Sequence, residues 1–174
     1  EGAVHLGTKL PVPPGVVARA GCDGQILPWE GCPQVYAVEE PHVEGSLYEG
    51  AMVPLQMTLP MTQLIGPGLV RLAESFDHVA CFGFLVSDSS RGSVSAVMGQ
   101  PVIRYWLEDK DVAHIKRGLD VLAQIYFAAG AKKVHTPIAG FDVLESPDDL
   151  ANPRPPKINA RDLDPPAYHP LGPA

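Results

Sequence analysis

His78-Val79-Ala80-Cys81-Phe82-Gly83-Phe84-Leu85-Val86 is the stretch whose reading decides the fold. In an extended chain successive side chains point to opposite faces. Phe82, Phe84 and Val86 therefore share one face, and Cys81, Gly83 and Leu85 share the other. Both faces are apolar, which places this strand inside a sheet covered on both sides, or one covered by helices. The polar run Ser87-Asp88-Ser89-Ser90-Arg91-Gly92 ends it in a turn whose side chains suit local backbone hydrogen bonds.

Towards the C-terminus, Val94 to Met98 resumes extended structure. Pro101 to Leu107 then alternates, with Val102, Arg104 and Trp106 against Ile103, Tyr105 and Leu107. Antiparallel strands are expected here. From Asp111 to Ala129 the period changes to that of a helix. Val112, Ile115, Leu119, Leu122, Ile125 or Tyr126, and Ala129 form an apolar stripe, with Asp109 as expected N-cap and Gly130 as the stop. Lys132 to Thr136 reads as a returning strand. Ser146-Pro147-Asp148-Asp149-Leu150 reads as a helix cap and start.

Towards the N-terminus, Leu47 to Val53, Gln34 to Glu39 and Val16 to Ala20 are strand candidates. Pro28-Trp29-Glu30-Gly31 is a turn. Met61 to Phe76 has helical spacing broken by Gly66-Pro67-Gly68, so its firm part is expected to start at Pro67. The order of elements predicts an α+β fold, a mostly antiparallel sheet with helices packed on one face. Residues 1–33 are expected as an extended lead-in, 34–145 as the α+β domain, and 146–174 as a return segment. Pro153, Pro155, Pro156, Pro165, Pro166 and Pro170 exclude regular helix or central strand from that last piece.

Composition narrows the function classes. Of 174 residues 45% are hydrophobic and 19% charged, which suits a globular domain. Thirteen Lys and Arg against twenty Asp and Glu give a net charge of −7, without the concentrated basic footprint of a nucleic-acid binder. No apolar run is long enough to span a membrane. The first residues carry no signal-peptide pattern, and the odd count of three cysteines leans towards a reducing, cytoplasmic setting. Cys22 and Cys32 flank a turn-rich segment and either pair or remain thiols. The six histidines are scattered and no metal site is expected. No Gly-x-Gly-x-x-Gly follows a strand, and neither a Walker loop nor a Gly-x-Ser-x-Gly elbow occurs.

One histidine stands out. His169, in Tyr168-His169-Pro170-Leu171-Gly172, carries an imidazole able to take a hydroxyl proton near neutral pH. With it an ordered set of landmarks emerges. These are Pro28-Trp29-Glu30-Gly31 with Gln34, Glu49-Gly50-Ala51 with Pro54, Phe82-Gly83 and Val86-Ser87-Asp88 with Ser90-Arg91-Gly92, Gly130-Ala131-Lys132-Lys133-Val134, Ser146-Pro147-Asp148-Asp149-Leu150, and His169-Pro170-Leu171-Gly172. The set resembles the glucose–methanol–choline (GMC) type of FAD-dependent oxidoreductases, especially the bacterial branch near steroid and alcohol oxidases, over most of the chain.

The resemblance implies the substrate domain of such an enzyme, with 1–33 leading in from an FAD domain and 146–174 returning towards the flavin. It implies oxidation of an alcohol to an aldehyde or ketone, with hydride passing to FAD. His169 would be the catalytic residue, with Pro170 and Gly172 beside the cofactor. It further implies a cavity under the sheet in which Phe82, Phe84, Tyr105, Trp106 and Arg104 meet an apolar or bulky alcohol. Two departures matter. The family motif continues with Thr after the glycine, where this chain reads Pro173-Ala174, and the dinucleotide fingerprint is absent. FAD would then be held mainly by a companion domain or subunit, in a longer or split enzyme. The competing expectation is a non-catalytic ligand-binding or interaction module.

Overall fold

The computed structural model describes residues 15–32, 34–39, 45–51, 53–62, 64–151 and 158–163. Eight strands occur among them: β1 (Gly15–Gly21), β2 (Ala37–Glu39), β3 (Ser46–Gly50), β4 (Val79–Val86), β5 (Arg91–Val97), β6 (Gln100–Trp106), β7 (Lys133–His135) and β8 (Val143–Leu144). Six build one sheet in the order β2-β3-β4-β1-β7-β8, and every neighbouring pair is antiparallel. β5 and β6 form a separate hairpin. Its loop is Met98-Gly99, both with positive φ, the two-residue turn whose twist matches that of paired strands. The helices are α1 (Leu55–Thr58), α2 (Pro67–Glu74), α3 (Asp109–Ala128) and α4 (Asp148–Ala151).

The α+β architecture matches the expectation from sequence. α3 lies on one face of the sheet, against β1, β4 and β7. Val112, Ile115, Leu119, Leu122, Ala123 and Tyr126 of the helix are buried with Val16, Ala18 and Ala20 of β1, Tyr48 of β3, Phe84 and Val86 of β4 and Val134 of β7. Tyr126 rather than Ile125 completes the stripe, because the Tyr126 hydroxyl reaches through the core to donate to the Ala18 carbonyl at 2.8 Å. Burying such a stripe contributes on the order of 10 kcal/mol before chain entropy is subtracted.

Both ends of α3 follow from local chemistry. The helix begins one residue before the expected cap: Glu108 is the extended N-cap and Asp109 the first helical residue. At the other end Gly130 has φ 91°. Its amide bonds to the Phe127 carbonyl and the Ala131 amide to that of Tyr126, which closes the last turn. α2 starts at Pro67, as expected from the glycine-flanked proline.

The expected divisions at residues 33 and 145 fall inside this structure. β1, from the supposed lead-in, is an interior strand paired on both edges, with β4 and with β7. Beyond residue 145, Leu163 is buried in the same core and bridges to Ile138. No disulfide forms among the described residues, so Cys22 and Cys32 are not joined. No described helix is long and apolar enough to cross a membrane.

Candidate functional site

The alternation that sends Val16, Ala18 and Ala20 under α3 sends Val17 and Arg19 to the opposite face of the sheet. The register sets Arg19 directly across from Cys81 on β4 and from His135 on β7. Three chemically active side chains thus stand in one row across three strands. Asp142 sits beside the row, just before Val143, which pairs with His135. Its backbone carbonyl accepts the Thr136 amide at 2.9 Å.

Arg19 is 3% exposed, and its Nε and Nη2 have no hydrogen-bond partner. Nδ1 of His135 and Oδ1 of Asp142 are likewise buried without one. Burial, then the charges of Arg19 and Lys133, push the His135 imidazole below its usual pKa, with Asp142 opposing them. His135 is therefore neutral at neutral pH. Burial raises the Cys81 thiol while Arg19 pulls it down, and the balance leaves it raised, so it stays a thiol rather than a ready nucleophile.

A cavity of about 270 Å³ opens beside Arg19, bordered by Ile26, Val35, Val53, Phe76 and Phe82 among others. Its wall is mainly apolar, with one buried cation in it. Small-molecule sites share that composition, an apolar body with few polar groups that fix orientation.

The residues singled out from sequence fall in three places. Phe82 borders this cavity. Phe84 does not: it is 1% exposed in the core under α3, its ring centroid 5.3 Å from that of Tyr48. Arg104, Tyr105 and Trp106 lie on β6, in the separate hairpin. Trp106 is 72% exposed and Arg104 is exposed, whereas the Tyr105 hydroxyl donates to the Asp88 carboxylate. The five therefore do not line one pocket among the described residues. β6 is a strand, as expected, but its hairpin pairs only with itself. His169, Pro170 and Gly172 lie outside the described residues. Arg19, His135 and Asp142 were not singled out from sequence. The available signal was a lone cation in Val16-Val17-Ala18-Arg19-Ala20, an otherwise apolar strand.

The Ser89-Ser90 turn that leads into the hairpin is tied to the start of α3. The buried Asp111 carboxylate accepts from the Ser90 amide at 2.9 Å, from the Ser89 amide at 3.3 Å and from both serine hydroxyls. The Ser90 hydroxyl oxygen in turn accepts the Glu108 amide at 2.9 Å. Burial alone would raise the Asp111 carboxyl, but the donors of Ser90 and Ser89 outweigh it and hold the pKa below the usual range. Its stabilisation is thus fully present above the unfolded value of about 3.9 and is lost as pH falls through the lower folded value. Asp111→Asn is expected to cost about 1–3 kcal/mol at pH 7 by turning an amide NH₂ towards donors. Urea unfolding from pH 7 to pH 3 should show a shallower loss of stability in the variant than in the parent chain. Equal slopes would mean that Asp111 does not carry this charge-assisted anchor.

The described residues thus form an α+β unit, an antiparallel sheet with one helix-covered face and, on the other, a cavity beside a row of polar side chains. Comparison with known proteins gives the relationship. An uncharacterized GMC-type oxidoreductase of Mycobacterium tuberculosis is 31% identical over 174 residues, in both strain CDC 1551 / Oshkosh and strain ATCC 25618 / H37Rv. The match covers 99% of this chain and 28% of each relative, so the chain spans little more than a quarter of their length. No family model matches the chain. The chain is related over its whole length to one segment of GMC-type oxidoreductases.

Proposed function

We propose that this chain forms the substrate side of an FAD-dependent oxidoreductase that converts an alcohol to an aldehyde or ketone, within a longer or split enzyme. The observation that carries the reading is the whole-length similarity to GMC-type oxidoreductases. The ordered landmarks from Pro28-Trp29 to His169-Pro170-Leu171-Gly172 support it.

The described residues fit the substrate side of a flavin and not its nucleotide. A mostly apolar cavity with a buried, unpartnered arginine edge suits a bound organic molecule, whereas no glycine-rich turn for a pyrophosphate joins a strand to a helix among the described residues. FAD, gripped mainly by a companion domain or subunit, would supply the hydride acceptor. His169, with Pro170 and Gly172 next to it, would adjoin that cofactor. The His169 imidazole would accept the substrate hydroxyl proton on a ring nitrogen as the carbon is oxidised. The sheet, backed by α3, would keep water from one side of the substrate.

The test assembles the chain with FAD and its companion and follows flavin bleaching under anaerobic conditions with a panel of alcohols. His169→Ala should slow bleaching by about 10²- to 10⁴-fold, the usual contribution of a general base. Bleaching at full rate in that variant would remove His169 from the chemistry.

A further inference from the structure

We propose that Arg19 is the recognition residue for a carboxylate, and that the ligand of this sheet face is an apolar molecule bearing one acid group. Calling that ligand a substrate rests on the function proposed above, but the anion site itself does not. Among the described residues, five side-chain polar atoms are buried without a hydrogen-bond partner, and four of them belong to Arg19, His135 and Asp142. Arg19 and His135 are cross-strand partners, and Asp142, opposite Thr136 on the approach to β8, is close enough to act on the His135 ring. Buried polar groups are almost always paired. Of the three only Arg19 borders the cavity, and its unpartnered buried edge marks a place where a partner is supplied by something that binds.

The arginine itself specifies that partner. Nε and Nη2 lie along one edge of the guanidinium, the edge that grips both oxygens of a carboxylate through two parallel N–H bonds. Neither neighbour in the row fills it, and the Asp142 carboxylate forms no ion pair with it among the described residues. Cys81 is held protonated by burial, and His135 is a neutral ring that carries no charge to offset the cation. An unpaired buried charge weakens a fold, so a strand that keeps one is organised for something other than stability. The bordering residues Ile26, Val35, Val53, Phe76 and Phe82 give the rest of the ligand an apolar setting. The site thus suits an acid on a hydrocarbon body better than a sugar or a neutral alcohol.

The experiment is calorimetric titration of the 174-residue chain with sodium octanoate and, separately, with octan-1-ol, for the parent chain, Arg19→Met and Arg19→Lys. Octanoate should bind at one site, with affinity about 10- to 100-fold weaker in Arg19→Met, as expected for losing hydrogen bonds to a charged group. Arg19→Lys should fall between, and octan-1-ol should bind all three chains alike. Arg19→Met should melt at or above the parent temperature, since it removes an unpaired charge. In the unmutated chain the Arg19 Nε–H resonance should move with octanoate and stay still with octan-1-ol. That readout holds even if a variant fails to fold.

Octanoate binding that is absent, or equal in the parent chain and Arg19→Met, would overturn the proposal. The Arg19 edge would then be left for an acidic side chain of the companion domain. Failure of flavin bleaching with octanoate binding intact would discard the enzymatic reading and keep this site. Bleaching without octanoate binding would discard this site alone.

Discussion

Leu119→Asp is expected to leave the chain without a cooperative unfolding transition. Leu119 is buried in the middle of the α3 stripe against the sheet. Removing its side chain costs about 2–5 kcal/mol for the lost burial and the cavity it leaves. The carboxylate adds several kcal/mol more, because it must be buried charged or be protonated. Small domains hold about 5–15 kcal/mol in all, so this one change is comparable with the whole. The control is Ile125→Asp, on the same helix but 43% exposed. It should stay within about 0.5 kcal/mol of the parent chain, as surface changes usually do. Urea titration followed by far-UV circular dichroism separates the two. A parent-like midpoint for Leu119→Asp would mean that α3 does not dock through this stripe.

Gly118→Val is the second large effect, and it acts by crowding. A Cβ at residue 118 would stand 2.4 Å and 2.6 Å from two ring carbons of Phe84. The ring cannot step aside, because Phe84 is fully buried and packed against Tyr48. The Tyr48 hydroxyl reaches the Gly118 carbonyl at 3.4 Å, so helix and ring are held together from both sides. Overpacking of this kind costs about 3 kcal/mol when the neighbours cannot relax. Phe84→Leu should make room. In a double-mutant cycle with Gly118→Ala, the pair should be less destabilised than the sum of the singles by about 0.5–3 kcal/mol. Strict additivity would show that the close approach of helix and ring is not what selects glycine at 118.

The fold was legible where periodicity was long and unambiguous. The strand ending at Val86 and the helix stripe from Val112 to Tyr126 each repeat a pattern often enough to fix type and facing, and Pro67 and Gly130 mark the start of α2 and the end of α3 by backbone chemistry alone. Sheet order was not legible. Nothing local in Val16-Val17-Ala18-Arg19-Ala20 says that it lies between β4 and β7, since those pairings join residues far apart in the chain. The same gap explains the site. Phe84 is fully buried where α3 crosses at Gly118, whereas Phe82, on the same strand, is only partly buried at the edge of that core and also borders the cavity. The family resemblance groups Tyr105 and Trp106 with them, but the Met98-Gly99 turn folds β6 back on β5 alone. Arg19 became informative only when its neighbours could be seen to leave it unpaired.

The interior position of β1 also has a meaning for assembly during synthesis. The first described strand to leave the ribosome is one that must be flanked on both sides, and its flanks are Val79–Val86 and Lys133–His135. Until those segments are made, Gly15–Gly21 exposes two unpaired edges and an apolar face, the surface on which strands of separate molecules adhere. Closing contacts of such long sequence separation is slow, because loop entropy is spent before any pairing is gained. The sheet cannot close around Gly15–Gly21 until Lys133–His135 is made, and folding depends on keeping that strand out of foreign pairings until its own partners arrive.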